Sequence, residues 1–539
     1  MTMRQFKSDL RRFAALVVGV AVGVAATPAM GQLLGQNLFP PNNPWNQDIS
    51  SAPVATNSAS IIFAIGASVT IHPDWGTDSP ADGTAPLYGI PYNVVHGNSM
   101  AKVSVIIDNY PGESDIIAAP IPTNAVIEGD FENGPNSAGP GYYIGQRGDS
   151  HLLIWDEDNN IGYEFYGAAR PSDPNLIDET SHTDGNWHAA QETVWNFNTN
   201  AFRPLGYTSA DAAGLSVLTG LARPDEGLPV SEGGQGAINH ALRMTLPGSI
   251  VGAQYVYPAS HKVTEPGTLP LGSRFRLQNN RTVNALIATM GPESQIVAHA
   301  LQHYGLILAD VGSAMYVTGA SGAVNATNGL SLVWNMDDIL GGLRQLSASN
   351  FDLVNLAPAV TNLSQSSGAT GTLLTINGYN FSGAAGHVSV FFGSTAVTNP
   401  NVLSDSQISV AVPAGSGTVD VTVQSGLYEP DTYDSPGANV QEPIFGYGTS
   451  VTNMADKFTY VAVPKFLSVY TTGGSFVASG TNNSGPRGNY HVVASTNLLV
   501  PMTNWTVLTN GSFDSNGNFI FTNVISNPNS KMFYRLRVP

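Results

Sequence analysis

Apolar and polar positions alternate through the last third of the chain. Val419-Asp420-Val421-Thr422-Val423 sets valines on one side and Asp and Thr on the other, as in a half-buried strand. Leu373-Leu374-Thr375-Ile376 and Val388-Ser389-Val390-Phe391-Phe392 are short runs of β-branched and aromatic residues, with Gly378, Gly393, Pro413 and Gly415 at the turns. A second set of strands follows, with Tyr490-His491-Val492-Val493 and Phe519-Ile520-Phe521-Thr522-Asn523 among them. Earlier, His151-Leu152-Leu153-Ile154-Trp155 and Ile161-Gly162-Tyr163-Glu164-Phe165-Tyr166 flank Asp156-Glu157-Asp158-Asn159-Asn160, which predicts a hairpin. Val103 to Ile107 also alternates. Helical spacing is rarer. From Pro292 to Tyr304, residues Ile296, Val297, Ala300, Leu301 and Tyr304 share a face, and Gly305 ends the run. Ser209 to Leu215 predicts a short helix capped by Thr208 or Ser209.

The N-terminal pattern differs from all of these. Arg4, Lys7, Arg11 and Arg12 precede an uncharged apolar run from Phe13 to Ala26, and Ala29-Met30-Gly31 offers small residues at the two positions a signal peptidase reads. The run is shorter than the roughly 20 residues of a spanning helix. Residues 1–31 are therefore expected to be a signal peptide, cleaved before Gln32, and the protein to be secreted, extracellular or at the cell surface. No later stretch is long and apolar enough to cross a bilayer.

Three zones follow: 32–355, 357–462 and 463–539. The first holds nine of the eleven histidines and six of the seven tryptophans, so titratable chemistry belongs there. Only 11% of residues are charged, against about 25% in an average soluble domain. The 21 basic and 39 acidic residues give a formal charge of −18, which argues against a nucleic-acid partner. The absence of cysteine excludes disulfides, thiolate metal sites and cysteine nucleophiles.

Several segments carry family resemblances. Pro358-Ala359-Val360, Gly371-Thr372, Ile376-Asn377-Gly378-Tyr379-Asn380-Phe381, Val390-Phe391-Phe392-Gly393, Val412-Pro413, Gly417 to Val423 and Phe458-Thr459-Tyr460 resemble an IPT/TIG immunoglobulin-like domain over 357–462. A long insert from Ser425 to Lys457 departs from the pattern. The resemblance implies a spacer or interaction module and carries no catalytic residue. The C-terminal zone, with Asn504-Trp505-Thr506 and Phe533-Tyr534-Arg535-Leu536, resembles a β-module of secreted verrucomicrobial proteins, a sorting or accessory unit. Phe39-Pro40-Pro41-Asn42-Asn43-Pro44-Trp45-Asn46, Arg203 to Asp211, Gly220 to Gly227 and Tyr304 to Ser313 resemble a family of uncharacterised large secreted bacterial proteins, which implies no residue roles. The expected fold is mainly β. A large β-sandwich or jelly-roll-like N-terminal domain with a few helices precedes an immunoglobulin-like β-sandwich and a small C-terminal β-domain.

Candidate chemistry concentrates between Arg203 and Asp310. His240, Arg243 and His261, the adjacent acids Asp225 and Glu226, and Asp310 form the candidate catalytic set. Sugar chemistry needs two facing carboxylates, or a His or Tyr with an Arg that neutralises an acidic sugar. Arg243 with Arg274 or Arg276 can hold a uronate carboxylate, and His240, His261 or Tyr304 can remove a proton. A buried salt-bridge network is the competing reading. If the strand is regular, His240 and Arg243 face opposite sides and Arg243 needs a buried acid, Asp225 or Glu226 being nearest in sequence. Trp45, Trp75, Trp155, Trp187 and Trp195 are candidate stacking platforms, and a lone Trp505 reads as half-buried core.

Other signals point away from further chemistry. His299 and His303 sit four apart but lack the intervening Glu and a third ligand of a zinc protease, so they read as a solvated face. Asp156, Asp158 and Asn160 lack the Gly and Glu of a calcium loop. No Gly-x-Ser-x-Gly elbow occurs in the first zone, and Gly233-Gly234-Gln235-Gly236 lacks the lysine of a phosphate loop. No metal and no cofactor are expected. Two readings remain open. One is a carbohydrate-active hydrolase or lyase acting on extracellular polysaccharide; the other is a non-catalytic protein that binds a cell-surface glycan or serves adhesion.

Overall fold

In a computed structural model, the structure describes residues 30–76, 89–130, 149–173, 182–200, 202–320, 332–382, 387–425, 438, 448–461, 464–482, 488–526 and 531–537. The signal-peptide reading and most of the Ser425–Lys457 insert lie outside them. The fold is mainly β with few helices. Strands of the first zone are β1 (Gln32–Leu33), β2 (Gln36–Asn37), β3 (His72–Asp74), β4 (Tyr92–Val95), β5 (Val105–Ile107), β6 (Leu152–Asp156), β7 (Ile161–Tyr166) and β8 (Trp187–Ala189). They continue as β9 (Gln191–Asn196), β10 (Leu242–Leu246), β11 (Val251–Tyr255), β12 (Leu269–Leu271), β13 (Arg274–Leu277), β14 (Leu306–Val311), β15 (Tyr316–Thr318) and β16 (Phe351–Leu353). Its helices are α1 (Ser58–Ile65), α2 (Val217–Gly220), α3 (Pro224–Gly227), α4 (Arg281–Ile287), α5 (Pro292–His303) and α6 (Met336–Leu343).

A six-stranded mixed sheet, ordered β16-β13-β14-β10-β15-β3, forms the spine. Its central strands β10 and β14 are parallel and buried, and read as near-continuous apolar runs for that reason. Helix α5 lies against β13 and α6, burying Val297, Ala300 and Leu301 as its spacing predicts, and Gly305 leaves it at φ +69°. A second sheet, β4-β6-β7-β9, contains the expected hairpin, with Leu152 opposite Phe165 and Asp156 opposite Ile161. The short helix α2 touches both sheets through β7 and β10. Glu164 of β7, fully buried, caps α2 by accepting bonds from Val217 N (2.9 Å), Leu218 N (3.0 Å) and Ser216 Oγ (2.7 Å). The predicted helix over Ser209–Leu215 is a turn instead. Ser209 Oγ bonds the carbonyls of Asp211 and Leu215, and Gly214 turns the chain at φ +70°, so helical bonds cannot form there.

Residues 359–460 form a β-sandwich. One sheet pairs Ala359–Leu363, Leu373–Tyr379, Gln407–Ala411 and Asn401–Ser404; the other includes Val388–Phe392, Thr418–Ser425 and Lys457–Tyr460. Leu374, Ile376, Val390, Ile408, Val421, Val423 and Phe458 fill the space between them. The core of this sandwich continues into the first zone through Ile49, Ala52, Tyr257, Val354 and Leu356. Asn380 Nδ2 also donates to the carbonyls of Asn355 and Ala357 across the junction. Ala438, the described residue of the insert's middle, accepts a bond from Tyr255 N of β11 at 2.9 Å. Two three-stranded sheets make the C-terminal module, closed over Ala478, Tyr490, Val492, Phe519 and Phe521. Trp505 is half-buried there and donates Nε1–H to Val500 O.

Both junctions, Ala357 and Val463, are expected cleavage points from composition alone. Ala357 is buried and bonded to Asn380, whereas Val461 is 47% exposed. Limited proteolysis is therefore expected to cut close to Val461 first, releasing the C-terminal module, and to spare Ala357. Early cleavage at Ala357, read by mass spectrometry of the fragments, would count against a continuous core across that junction.

Candidate functional site

Arg243 sits on β10 in the middle of the spine and is 4% exposed. Its Nε and Nη2 donate to Asp211 Oδ2 and Oδ1 at 2.9 and 3.0 Å, and its Nη1 donates to Thr318 Oγ1 at 2.7 Å. This is a bidentate pair with a third bond, so the guanidinium is well satisfied although buried. Asp211, not Asp225 or Glu226, is the buried acid the strand geometry calls for. Its charge outweighs burial and raises the Arg243 pKa further above the ordinary arginine value.

A bulge places Asp310 beside that pair. Along β10 and β14, Arg243 pairs with Ile307 and Met244 with Leu308, but Thr245 pairs with Asp310. In a regular strand Asp310 would point away from the side of Ile307; the extra residue turns it onto the side of Arg243. Asp310 Oδ2 lies 3.8 Å from Arg243 Nη2, and the carboxyl keeps 25% of its surface open. Burial, then repulsion from Asp211 and Asp149, lifts its pKa to about 7 against the pull of Arg243.

Asp310 opens onto a cleft of about 260 Å³, with Tyr110, Asp149, Tyr166, Gln191, Ser209 and His261 among its lining residues. His261 Nδ1 lies 2.8 Å from Ala212 O and donates to it. Gln191 is fully buried; its Nε2 donates to Glu192 O and Thr193 Oγ1 at 2.8 Å each, while its Oε1 accepts no hydrogen bond among the described residues. Below the cleft, His151 faces Glu128 Oε2 through Nδ1 at 2.6 Å and Ala210 O through Nε2 at 2.9 Å, so both nitrogens meet acceptors. Burial opposes that charge, but Glu128 outweighs it and holds His151 at about 9. The cleft is thus acidic above and cation-supported below. Asp149 and Asp310 can act as two carboxylates on one small polar ligand, with His261 beside them.

The remaining candidates are sealed elsewhere. His240 and Arg223 are fully buried and Glu226 is 1% exposed; Glu226 Oε1 takes both His240 Nε2 and Arg223 Nη2 at 2.7 Å. Asp225 is 4% exposed and accepts from Leu34 N at 2.7 Å, and burial, then repulsion from Glu226, lifts it to about 6. The candidate set is therefore not gathered in the cleft, as an enzyme built on all of it requires, and its scatter is what the non-catalytic reading calls for. His261 and Asp310 line the cleft, Arg243 lies beneath, and His240, Asp225 and Glu226 belong to a separate enclosed network. Burial of His240 under the backbone of Gly31 leaves no space for a ligand, since a Cβ at Gly31 would meet the ring at 2.8 Å.

Arg274 and Arg276 do not hold a substrate acid either. Arg274 donates to the carbonyls of Tyr304, Pro44 and Gln47, and Arg276 to those of Ile49, Ser50 and Ala52. Trp45, Trp75, Trp155 and Trp195 are core residues rather than sugar platforms, with exposures of 1–4%. Tyr304 is buried away from the cleft, and Ser313 is an exposed turn residue. His299 and His303 are exposed on α5, where His303 Nδ1 meets Asp48 at 3.0 Å. Asp156 accepts from Gly97 N and Asn159 Nδ2, so the hairpin loop uses its acids internally. Sequence reasoning missed Asp149, Tyr110, Tyr166 and Gln191, because their loops and strands converge only in three dimensions.

Residues 358–436 match the family model described as the IPT/TIG domain. A cyclomaltodextrin glucanotransferase of Paenibacillus macerans is 40% identical over 75 residues, which is 13% of this chain and 10% of that enzyme's length. Among solved structures, a protein described as SGBP-B from a complex xyloglucan utilization locus in Bacteroides uniformis aligns at 18% identity with a TM-score of 0.13, covering 34% of this chain and 46% of that one. An SGBP-B from a mixed-linkage glucan utilization locus in Bacteroides ovatus, solved with a mixed-linkage heptasaccharide, aligns at 15% identity and a TM-score of 0.14, over 32% of this chain and 48% of that one. The Plexin A4 extracellular region aligns at 16% identity and a TM-score of 0.15, over 32% of this chain and 13% of that one. Among the described residues no helix is long and apolar enough to cross a membrane.

Two outcomes test the buried networks. Arg243→Ala strands Asp211 and is expected to cost about 3–5 kcal/mol in denaturant melts. His240→Ala, although it touches no cleft, is expected to destabilise as well; a His240→Ala protein as stable as the parent but inactive would restore it to the site. Stability should also fall from pH 5 to pH 9. Asp74 and Glu164 are lifted to about 6 and Glu192 and Glu293 to about 7, each by burial first, and join Asp225, Asp310 and His151. Each binds more protons folded than unfolded within that window, so raising pH favours the unfolded chain. A melting temperature that rises between pH 5 and pH 8 would contradict these assignments.

Proposed function

We propose that the cleft bounded by Asp149, His261 and Asp310 binds an extracellular polysaccharide and hydrolyses a neutral glycosidic bond. The observation that supports this most is Asp310, a carboxyl lifted to about 7 on the wall of a cleft that also carries the exposed Asp149. Protonated near neutral pH, Asp310 is the general acid toward a leaving oxygen, and Asp149 the second carboxylate. Tyr110 and Tyr166 on the cleft wall suit sugar hydroxyls. A lyase acting on uronates is the weaker form, because Arg274 and Arg276 are spent on backbone carbonyls and the cleft is acidic. Secretion and the surface location expected from the N-terminus belong to the same proposal. The IPT/TIG sandwich is then an accessory module, and a cyclomaltodextrin glucanotransferase shares a segment with this chain.

The second reading is a non-catalytic glycan binder. It is favoured by the burial of His240, Arg243, Asp225 and Glu226, which removes four of the six expected catalytic residues from solvent. Its partner is the same extracellular polysaccharide or cell-surface glycan.

A panel of neutral and uronate polysaccharides separates the readings. Reducing ends from a neutral glycan are expected, with an alkaline limb near pH 7 as Asp310 ionises. Asp310→Asn should lower turnover roughly 10²–10⁴-fold with the melting temperature kept or raised. Unsaturated products from uronates alone would overturn the hydrolase. Retained glycan affinity with no product anywhere on the panel would establish the binder.

A further inference from the structure

His182 is the least explained polar side chain of the described residues. Its side chain is 5% exposed, yet neither ring nitrogen makes a hydrogen bond. Burying an imidazole without a partner is costly, so a ligand is called for. Nδ1 has Asp184 Oδ1 at 3.7 Å, beyond hydrogen-bond length, and the ring lies 4.5 Å from that of His188, centroid to centroid. His188 Nε2 in turn lies 3.2 Å from Asp184. Ligand atoms from the three residues all fall within 4.8 Å of one another.

We propose that His182, Asp184 and His188 hold one divalent cation of the zinc class. Two imidazoles and a carboxylate are a borderline N/O donor set that suits zinc. Ligands at about 2.0–2.1 Å from a tetrahedral ion stand roughly 3.3 Å apart, close to the 3.2 and 3.7 Å already present. His188 has the orienting partner such a ligand needs, because its other nitrogen, Nδ1, faces Asp108 Oδ2 at 3.0 Å. Asp184 stays 42% exposed, which leaves the site open to ion entry. This departs from the sequence expectation of no metal, which weighed the pair His299 and His303 and the loop of Asp156, Asp158 and Asn160.

The cation's role follows from what the ligands are attached to. Strand β8, which carries His188, pairs in parallel with β5, and Asp108 follows β5 directly. Beyond them, Tyr110 N bonds Ala190 O, and Tyr110 and Gln191 line the cleft. One ion thus ties the 182–188 loop to the strand pair that forms one cleft wall. It supplies a structural clamp and takes part in no reaction step.

The full chain, stripped with chelator and dialysed, is titrated with zinc chloride by calorimetry and analysed for bound metal. One zinc per chain is expected, with a higher melting temperature, and no matching response to magnesium. His182→Ala should weaken binding at least tenfold. Asp108→Asn should weaken it by about tenfold through the His188 tautomer. The double variant His299→Ala/His303→Ala should bind as the parent does. Should His182→Ala not fold, Asp184→Ser at its exposed position serves instead. Zinc affinity unchanged by these ligand variants, or no saturable binding in the micromolar range, would overturn the site. Neither result bears on glycan turnover, so the proposal stands or falls separately from the hydrolase.

Discussion

The pair between Arg243 and Asp211 is the constraint from which the rest of the first zone is arranged. A buried guanidinium loses hydration that only close partners restore, and here a bidentate carboxylate and Thr318 restore it. Asp211 lies in a turn, not in a strand or helix, so satisfying Arg243 draws that turn onto the central sheet. The neighbours of Asp211 then become a wall of the cleft: Ser209, Ala210 and Ala212 line it, and Ala212 O receives His261. The same guanidinium lies under Asp310, which the bulge in β14 turns toward it. One ion pair therefore sets a loop, a histidine and an acid in a common place.

The chain uses arginine where other proteins use cross-links. It has no cysteine, and long irregular segments join its strands. Arg274 and Arg276 gather the carbonyls of residues 44–52 and of Tyr304. Arg223 gathers those of Leu218 and Gln32, and Arg203 that of Thr208 together with the carboxylate of Asp115. A planar five-donor group can satisfy several backbone acceptors at once, which a lysine cannot. With only 11% of residues charged and 21 Lys and Arg in the chain, these four arginines are all interior. The acids follow them inward, and burial lifts the pKa of several of them, Asp310 and Asp225 among them, against the pull of a nearby arginine.

The cleft and the cluster around His188 share one scaffold. Both depend on the parallel pairing of β5 with β8, which brings Asp108 to His188 and Tyr110 next to Ala190. Parallel neighbours must come from distant parts of the chain, so this wall joins residues near 105 with residues near 188. Gln191 and Tyr110 line the same cleft as Asp149 and Asp310.

Local pattern by itself determined the strands of the sandwich, the hairpin over residues 151–166 and the face of α5, because periods of two and 3.6 are written directly into side-chain order. The resemblance to an IPT/TIG domain is matched over residues 358–436, and His261 and Asp310, both in the candidate set, line the cleft. For Arg243 the local pattern left two readings open, a member of the catalytic set and a buried charge in need of an acid, and burial favours the second. What it did not determine was which acid. Asp225 and Glu226 are nearest in sequence, but strand β10 lies beside β14 and β15, and the turn crossing that sheet carries Asp211. The bulge that redirects Asp310 leaves no mark in composition, since it is a register shift between two strands 60 residues apart. Tryptophans look alike in sequence whether they stack on a sugar or fill a core, and only packing against both sheets assigned four of them to the interior. His182, Asp184 and His188 are close in sequence, yet their meaning rests on burial and on Asp108 from another strand. Local order sets periodicity; the partners of a buried charge are chosen by the fold, because desolvation is felt only once the chain has closed around it.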